Sequence, residues 1–321
     1  MLKRPLGTTG IEISSIVFGG WQSGKEYWVG VDDSDTIAAH RVALEAGITT
    51  FDTAEEYGAG HSERVLARAL AARRSEIVIC TKVSWRHLRR EQVLAACENS
   101  LKNLGTDVID LYQIHWPAGT FGSERVSIAE TMGALLDLKK QGKIRAIGVS
   151  NFSLPQLEEA AAVGRVDAIQ PCYSLFFRYF ERETLAYCEK NDITVLAYSP
   201  LAQGLLTGRF RKGTTFPEGD NRSDNKLFHP PHFDRALQAI DALHPIAARL
   251  DITLSQLALA YLTYRPRTAA IAGARNAAQA ISNAQAGDLV LSEADWNEVD
   301  QIGWTVARPL LDDPMMWTWE T

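Results

Sequence analysis

Eight short apolar runs alternate with longer amphipathic stretches along this chain, and this alternation constrains the fold more than any other feature. Each run is too short for a typical helix, and most are bounded by Gly, Pro, Asp or Asn. Strands that alternate with helices predict parallel pairing with helical crossovers. The predicted strands span residues 16–20, 48–53, 77–83, 108–115, 144–150, 168–173, 193–200 and 268–273.

The stretches between the strands carry the terminal signals of helices. Ser153 is a candidate N-cap and Pro155 follows it in the first turn. Gly47, Gly105 and Gly142 each follow an amphipathic stretch, as C-capping glycines do. The predicted helices span residues 34–46, 62–74, 89–104, 124–141, 153–162, 181–191, 233–249, 253–264 and 275–285.

Eight strand-and-helix units favour closure into a barrel over an open doubly wound sheet. A Rossmann-type sheet would need G-x-G-x-x-G at an early strand-to-helix turn, and Gly19-Gly20-Trp21 does not match that pattern. We therefore predict an α/β chain, a (β/α)8 TIM barrel with a short N-terminal cap, an extended loop and extra helices after strand 7, and a C-terminal tail. We expect residues 1–321 to form a single domain, since a barrel needs about 250 residues plus insertions.

Composition and charge limit the classes of partner and the type of protein that we expect. The net charge is −6 and the basic runs are short, so we expect no nucleic-acid partner. No apolar run approaches the roughly 18 residues of a membrane span, and the N-terminus lacks the apolar core of a signal peptide. Four cysteines without a C-x-x-C pair indicate neither a disulfide scaffold nor a metal site. We expect a cytoplasmic enzyme and leave its oligomeric state open.

Two segments depart from a minimal barrel. Residues 207–231 are rich in Gly, Pro, Arg and Asn, which is typical of a loop or lid over the barrel mouth; the alternative is a disordered excursion without function. The tail carries Trp304, Trp317 and Trp319, and we expect these rings to pack on the barrel or at an interface.

Four polar side chains lie at or just beyond the ends of three successive predicted strands: Asp52, Tyr57, Lys82 and His115. Active sites of barrels lie at these carboxyl ends, and neighbouring strands are about 4.8 Å apart, so all four side chains can reach one pocket. The alternative is a set of buried ion pairs inside the barrel.

These residue types favour acid catalysis. A lysine ammonium lowers the pKa of a nearby tyrosine, and a paired carboxylate keeps the lysine charged. We therefore expect the pKa of Tyr57 to be drawn down towards working pH by Lys82 and Asp52, with His115 donating a hydrogen bond to a carbonyl oxygen. No residue has the surroundings of a covalent nucleophile, and we expect no metal. Proton donation to a carbonyl needs a hydride donor, which implies a nicotinamide cofactor.

Six segments resemble signatures of the aldo-keto reductases, in the order of that family and from about residue 6 to residue 302. They are Asp52-Thr-Ala-Glu-Glu-Tyr57-Gly, Thr81-Lys82-Val, Ile114-His115-Trp-Pro, Gly142-Lys-Ile-Arg-Ala-Ile-Gly-Val-Ser-Asn151-Phe, Tyr198-Ser-Pro-Leu-Ala-Gln-Gly-Leu-Leu-Thr-Gly208 and Ile271-Ala-Gly-Ala-Arg275. The resemblance implies an NADP(H)-dependent oxidoreductase that reduces aldehydes or ketones to alcohols, with Tyr57 as the general acid.

The resemblance also implies the cofactor contacts. Ser150, Asn151 and Gln170 would hold the nicotinamide carboxamide, and Tyr198 would stack on the ring. The other implied contacts are Gly20, Trp21 and Asp52 near the ribose and the site, Ser199, Leu201, Gln203, Gly204 and Leu206 around the pyrophosphate, and Gly273, Arg275, Gln279 and Asn283 after strand 8.

Arg275 favours NADP(H) over NAD(H), because an arginine beside a helix N-terminus is a good phosphate site. Here, though, Gly273-Ala274 and Gln279 replace a Lys-Ser pair and an arginine that many family members carry. Trp21, Trp85, His115 and Trp116 are the candidate substrate pocket. Core packing explains Trp85, Trp116 and Phe121 equally well when each is taken singly. A small-molecule carbonyl is the expected partner.

Two other functions are alternatives for this sequence. Some relatives of this family sense redox state as channel subunits, and the four polar residues fit that role too. A barrel isomerase or hydrolase with a Schiff-base lysine would leave the segments around Tyr198 and Arg275 without a purpose.

Overall fold

The structure is a computed structural model that describes residues 1–26, 28 and 30–319. A short antiparallel hairpin, β1 (Lys3–Pro5) and β2 (Glu12–Ser14), precedes the barrel. Eight parallel strands then close on themselves, with the last strand paired to the first. They are β3 (Ile16–Gly19), β4 (Thr50–Asp52), β5 (Val78–Val83), β6 (Ile109–Ile114), β7 (Ile144–Ser150), β8 (Ala168–Gln170), β9 (Thr194–Ala197) and β10 (Thr268–Gly273). The predicted (β/α)8 barrel is confirmed.

The helices surround this barrel. They are α1 (Asp33–Glu45), α2 (His61–Leu70), α3 (Arg90–Leu104), α4 (Ile128–Lys140), α5 (Leu154–Val163), α6 (Thr184–Lys190), α7 (His232–Arg249), α8 (Leu254–Thr263), α9 (Ala277–Ala286) and α10 (Glu293–Ala307). The extra helices expected after the seventh barrel strand are α7 and α8. None of the helices in the described ranges is long and apolar enough to cross a membrane.

Two apolar cores hold these layers together. The larger core lies between the outer faces of the strands and the helices. The smaller core fills the barrel interior, where Val17, Leu111 and Leu196 meet Leu6 and Ile13 from the hairpin. The hairpin therefore closes the amino-terminal end of the barrel, and the carboxyl end is left to the loops.

Several predicted boundaries differ from the structure for local reasons. The regular ladder between the sixth and seventh barrel strands stops at Gln170 and Ala197, earlier than expected, because Pro171 has no N–H to continue it. An isolated parallel bridge between Cys172 and Tyr198 follows. The helix expected to begin at residue 124 begins at Ile128, because the Ser127 side chain caps it by accepting from the backbone N–H of Glu130. Helix α10 was not predicted, although Ser292 caps it in the same manner.

The polar stretch after β9 is an ordered loop. It contains short 3-10 turns at Asn221–Asp224 and Lys226–Phe228. Asp220, Asn221, Arg222 and Asn225 are buried, and Phe216 and Phe228 pack edge to face with Phe210. The loop therefore packs as part of the molecule at the carboxyl end of the barrel.

Candidate functional site

A cavity of about 580 Å³ lies at the carboxyl ends of the barrel strands. Its lining contains most of the residues that the sequence singled out. From that set the lining includes Trp21, Asp52, Tyr57, Trp85, His115, Trp116, Ser150, Asn151, Gln170, Tyr198, Ser199, Leu201, Gln203, Gly204, Gly273, Arg275, Gln279 and Asn283.

Three predicted site residues lie behind this lining. Lys82 is 0% exposed, and its ammonium contacts the site only through its hydrogen-bond partners, among them the Tyr57 hydroxyl. Gly20 packs against α2, since a Cβ built there would lie 2.7 Å from the Ser62 hydroxyl. Leu206 is buried in the larger core. Their implied cofactor or catalytic contacts are therefore indirect or made by backbone atoms.

Lys82 and Asp52 form a buried ion pair on neighbouring strands. The Lys82 ammonium donates to Asp52 Oδ1 at 2.6 Å and to the Thr53 carbonyl at 2.8 Å. Burial opposes the charge, but Asp52 and Tyr57 outweigh it, so the pKa of Lys82 is raised. The second Asp52 oxygen accepts from the Gln170 amide at 2.9 Å. The site thus holds a fixed cation whose counter-ion is itself held by hydrogen bonds.

Tyr57 follows β4 and directs its hydroxyl at that cation. The Lys82 ammonium lies 3.4 Å from the Tyr57 hydroxyl oxygen. Burial raises the pKa of Tyr57, the Lys82 charge opposes this rise, and Asp52 adds to it. The expectation of a lowered pKa is therefore wrong in net direction, because desolvation of the phenolate outweighs the lysine. The phenol stays protonated at neutral pH.

His115 lies beside Tyr57 at the end of β6. The two rings meet edge to face, with centroids 5.4 Å apart. Burial and the Lys82 charge hold the pKa of His115 well below its usual range, so the imidazole is neutral. Its Nδ1 is buried without a hydrogen-bond partner. A neutral imidazole with an unused nitrogen can bind a polar group of a ligand.

Ser150, Asn151 and Tyr198 form a hydrogen-bonded group across the cavity. Tyr198 donates to Asn151 Oδ1 at 2.8 Å, and the Asn151 amide donates to Ser150 Oγ and to the His115 carbonyl, each at 3.1 Å. Asn151 adopts a positive φ of 60°, which asparagine tolerates better than most residues. The stacking of Tyr198 on a nicotinamide stays a prediction; its ring lies nearly parallel to Trp317, with centroids 6.2 Å apart.

The loop after β9 offers a cradle for an anionic group. Gln203 and Gly204 both adopt positive φ angles, and a Cβ at Gly204 would lie 3.2 Å from an Arg209 nitrogen. The Gln203 side-chain nitrogen is buried, lines the cavity and has no hydrogen-bond partner. An unsatisfied buried donor is costly unless a ligand accepts from it.

Three guanidinium groups converge at the same end of the cavity. Arg275 and Arg222 lie over the Trp28 ring at 5.2 and 5.8 Å from its centroid. The pKa of Arg209 is lowered by burial and by Arg222 and Arg275. Asp220 offsets only part of this charge, through its bonds to Arg222. Sequence reasoning found Arg275 but missed Arg209 and Arg222, which lie in the stretch interpreted as a loop.

The residues present fit a nicotinamide dinucleotide. Its phosphates are anionic, and the cavity places an arginine cluster, a glycine turn and an unsatisfied amide together. Across the described ranges, no group of three or more His, Cys, Asp or Glu side chains could hold a metal ion. The cationic end of the cavity and the Tyr57 end are thus the two halves of one site.

Aromatic rings surround the other half of the cavity. Trp85 contacts both His115 and Phe121, and Trp116 also meets Phe121. The tail adds Trp317 and Trp319, which stack on each other with centroids 4.7 Å apart. Trp317 thereby packs on the barrel, as expected. No pattern in the sequence indicated that these tail rings would line the cavity.

Comparison with known proteins gives a consistent result. The model of the Aldo/keto reductase family matches residues 15–303. The chain is 36% identical to aldo-keto reductase YhdN of Bacillus subtilis over 97% of this chain and 95% of the relative. It is 34% identical to the NADH-specific methylglyoxal reductase of Escherichia coli, over 92% and 96% of the two chains.

Solved structures agree with these sequence matches. The glycerol dehydrogenase AKR11B4 of Gluconobacter oxydans superposes with a TM-score of 0.87, at 32% identity and over 99% of each chain. An aldo-keto reductase of Klebsiella pneumoniae in complex with NADPH superposes with a TM-score of 0.77, at 28% identity and over 99% and 100% of the two chains.

Proposed function

Because the chain belongs to the aldo/keto reductase family, we propose that it reduces aldehydes or ketones to alcohols with NADP(H), using Tyr57 as the proton donor. Membership in this family supports a nicotinamide-dependent oxidoreductase that acts on small carbonyl compounds. The proposal rests on the buried hydrogen bonds that join Tyr57, Lys82 and Asp52. Tyr57 and Asp52 line the same cavity as Arg209 and Arg275 of the arginine cluster.

The proton-transfer step follows from the charges around Tyr57. The bound dinucleotide supplies the hydride that the carbonyl carbon receives. Tyr57, kept protonated by burial, donates its hydroxyl proton to the carbonyl oxygen. Lys82 then stabilises the phenolate that remains, at the 3.4 Å separation seen here. In the reverse reaction the same phenolate would accept the alcohol proton.

His115 orients the substrate in this proposal. The imidazole is neutral because of burial and the Lys82 charge, so it can donate one hydrogen bond to the carbonyl oxygen without competing as an acid. Its ring is fixed against Tyr57 and Trp85. The carbonyl oxygen would then lie between the Tyr57 hydroxyl and the imidazole.

The phosphate preference rests on the arginine cluster. Arg275 is half-buried against Trp28, and its backbone N–H donates to the Gln279 side chain at 2.9 Å at the start of α9. An extra ribose phosphate would offset the mutual repulsion of Arg275, Arg222 and Arg209. We therefore favour NADP(H), although a 34% identical relative is named as NADH-specific.

Replacing Tyr57 with Phe tests the proton donor. The Tyr57→Phe variant keeps the ring against His115 but has no proton to give, so carbonyl reduction should fall by about 100-fold or more. The Kd for NADPH, measured by fluorescence titration, should change less than about twofold because the hydroxyl faces Lys82. Unchanged turnover with a panel of aldehydes and ketones would remove Tyr57 from the mechanism.

Replacing Arg275 with Ala tests the phosphate preference. Charge-assisted hydrogen bonds to phosphate are worth roughly 1.5–3 kcal/mol, so the Kd for NADPH should rise by about 10- to 100-fold. The Kd for NADH should change by less than about threefold. Arg90→Ala, which removes an exposed arginine that is paired with Asp137 and is outside the cavity lining, is the matched control. Equal weakening of both cofactors would contradict a 2′-phosphate role for Arg275.

A further inference from the structure

The C-terminal segment of residues 313–319, the tail, is docked along residues 220–228, the cofactor-side loop. The Lys226 backbone N–H donates to the Met316 carbonyl at 2.9 Å, and the Thr318 N–H donates to the Asp224 carbonyl at 2.9 Å. Asn225 and Trp317 form an antiparallel bridge between these bonds. The tail therefore adds a short strand-like pairing to the loop.

The Lys226 side chain fastens the start of the tail. Its ammonium lies 2.5 Å from Asp313 Oδ2 and donates to the Met315 carbonyl at 2.9 Å. Asp313 Oδ1 in turn accepts from the Met315 backbone N–H at 3.1 Å. One cation thus joins three points of the chain in a half-buried position, where the pair is less screened than on the open surface. Lys226 does not line the cavity.

The same loop reaches the cofactor end of the cavity on its other side. Asn225, which is fully buried, donates from its amide to Gln203 Oε1 at 3.0 Å. Arg222 belongs to the arginine cluster. The loop therefore contacts Gln203 and the arginine cluster as well as the tail.

The docked tail places two indole rings against the substrate half of the cavity. Trp317 is 2% exposed and meets the Trp21 ring edge to face at 6.2 Å. Trp319 stacks on Trp317 and approaches Phe121 at 6.5 Å. Both indole rings line the cavity, next to Trp21 and Phe121.

We propose that Lys226 is a positioning residue that holds the tail so that Trp317 and Trp319 form a selective wall for carbonyl compounds bearing an aromatic ring. The inference rests on the proposed reductase function. A substrate ring gains stacking area only if the wall is already in place, because an unanchored tail must be ordered when the substrate binds. A small aliphatic aldehyde has no ring to stack on the wall, so its binding depends less on the position of the tail. The Lys226 contacts therefore determine the KM for aromatic carbonyl compounds and do not change the rate of the chemical step.

The test compares benzaldehyde and propanal in Lys226→Met, which keeps the length of the side chain and removes the cation. The KM for benzaldehyde should rise about fivefold to tenfold, in line with the loss of one or two aromatic contacts. The kcat for benzaldehyde and the KM for propanal should each change less than twofold. Lys226→Arg should restore the benzaldehyde KM. Lys212→Met, at an 87% exposed lysine, is the matched surface control.

Trp319→Ala is the second variant, for use if Lys226→Met unfolds in a thermal melt, and it should give the same split between the two aldehydes. Equal changes in KM for both aldehydes, or none, would overturn the inference. So would a wild-type protein that reduces propanal but shows no preference for benzaldehyde. A wild-type protein that reduces neither aldehyde with NADPH instead refutes the proposed function, which keeps the two failures distinct.

Discussion

The buried histidine His40 lowers the stability of the fold in acid. It lies on α1 between the Phe18 and Phe51 rings, with centroids 4.1 and 5.8 Å away, and its Nδ1 donates to the Thr36 carbonyl at 2.8 Å. Burial lowers the pKa of His40 to about 4, and the hydrogen bond only partly opposes this. The folded protein therefore holds His40 neutral in a range where the unfolded chain binds a proton.

The sign of the pH effect follows from that difference. The usual pKa of histidine is about 6.5, so between pH 6.5 and pH 4 the unfolded state binds more protons and the free energy of unfolding falls as the pH falls. The window corresponds to about 3 kcal/mol. His40→Gln, which retains a donor for Thr36, should lose about that much less stability between pH 7 and pH 4, as measured by urea unfolding. Identical acid sensitivity in both proteins would show that His40 does not titrate with unfolding.

For single residues, the sequence predicted which side chains meet at the site better than it predicted the burial and charge around them. Asp52, Tyr57, Lys82 and His115 could be found because strand ends in a barrel converge on one mouth. The direction of the Tyr57 pKa could not, because it depends on how far burial outweighs one lysine charge. Arg209 and Arg222 were missed for a related reason, since only folding brings them next to Arg275.

Elements with strong periodicity were predicted well, and their ends were not. All eight barrel strands were expected near their observed positions, because buried parallel strands give continuous apolar runs. The predicted end of β8 overran because apolar residues continue past Pro171, where the ladder stops. Helix α10 carried a readable signal, with Ser292 as N-cap and Glu293 and Asp295 in the first turn. Trp304, which was expected to belong to the tail with Trp317 and Trp319, lies inside this helix.

The cofactor-side loop shows why composition alone misleads for such an element. Its polar residues resemble an exposed loop, yet Asp220 and Arg222 pair with each other and Asn225 bonds to Gln203. Polar side chains tolerate burial when their partners are supplied. Those hydrogen-bond partners lie in the same loop or in another segment of the chain. The polarity of a short stretch of sequence therefore does not predict which of its side chains are buried.

In the molecule as a whole, one end of the barrel serves stability and the other end serves the chemistry. The hairpin closes the amino-terminal end with Leu6, Ile11 and Ile13 packed into the barrel interior. The cavity lies at the carboxyl end, with Asp52, Tyr57 and His115 in its lining and Lys82 behind Tyr57. A change in the hairpin should therefore alter unfolding without altering turnover, as expected for barrels in which the two faces carry separate roles.

Leu6→Ala tests this division. Leu6 is fully buried in the interior core, so truncation leaves a cavity and should cost about 2–5 kcal/mol in the free energy of unfolding. The melting temperature should drop by several degrees, while kcat/KM measured well below the transition stays within about twofold of the wild type. Val290→Ala, at a side chain that is 75% exposed, should leave both quantities unchanged. The barrel strands connect the hairpin to the cavity. A large loss of kcat/KM in Leu6→Ala at an unchanged melting temperature would therefore mean that packing at the closed end positions the catalytic strand ends. The proposed separation of stability and chemistry between the two ends would then be wrong.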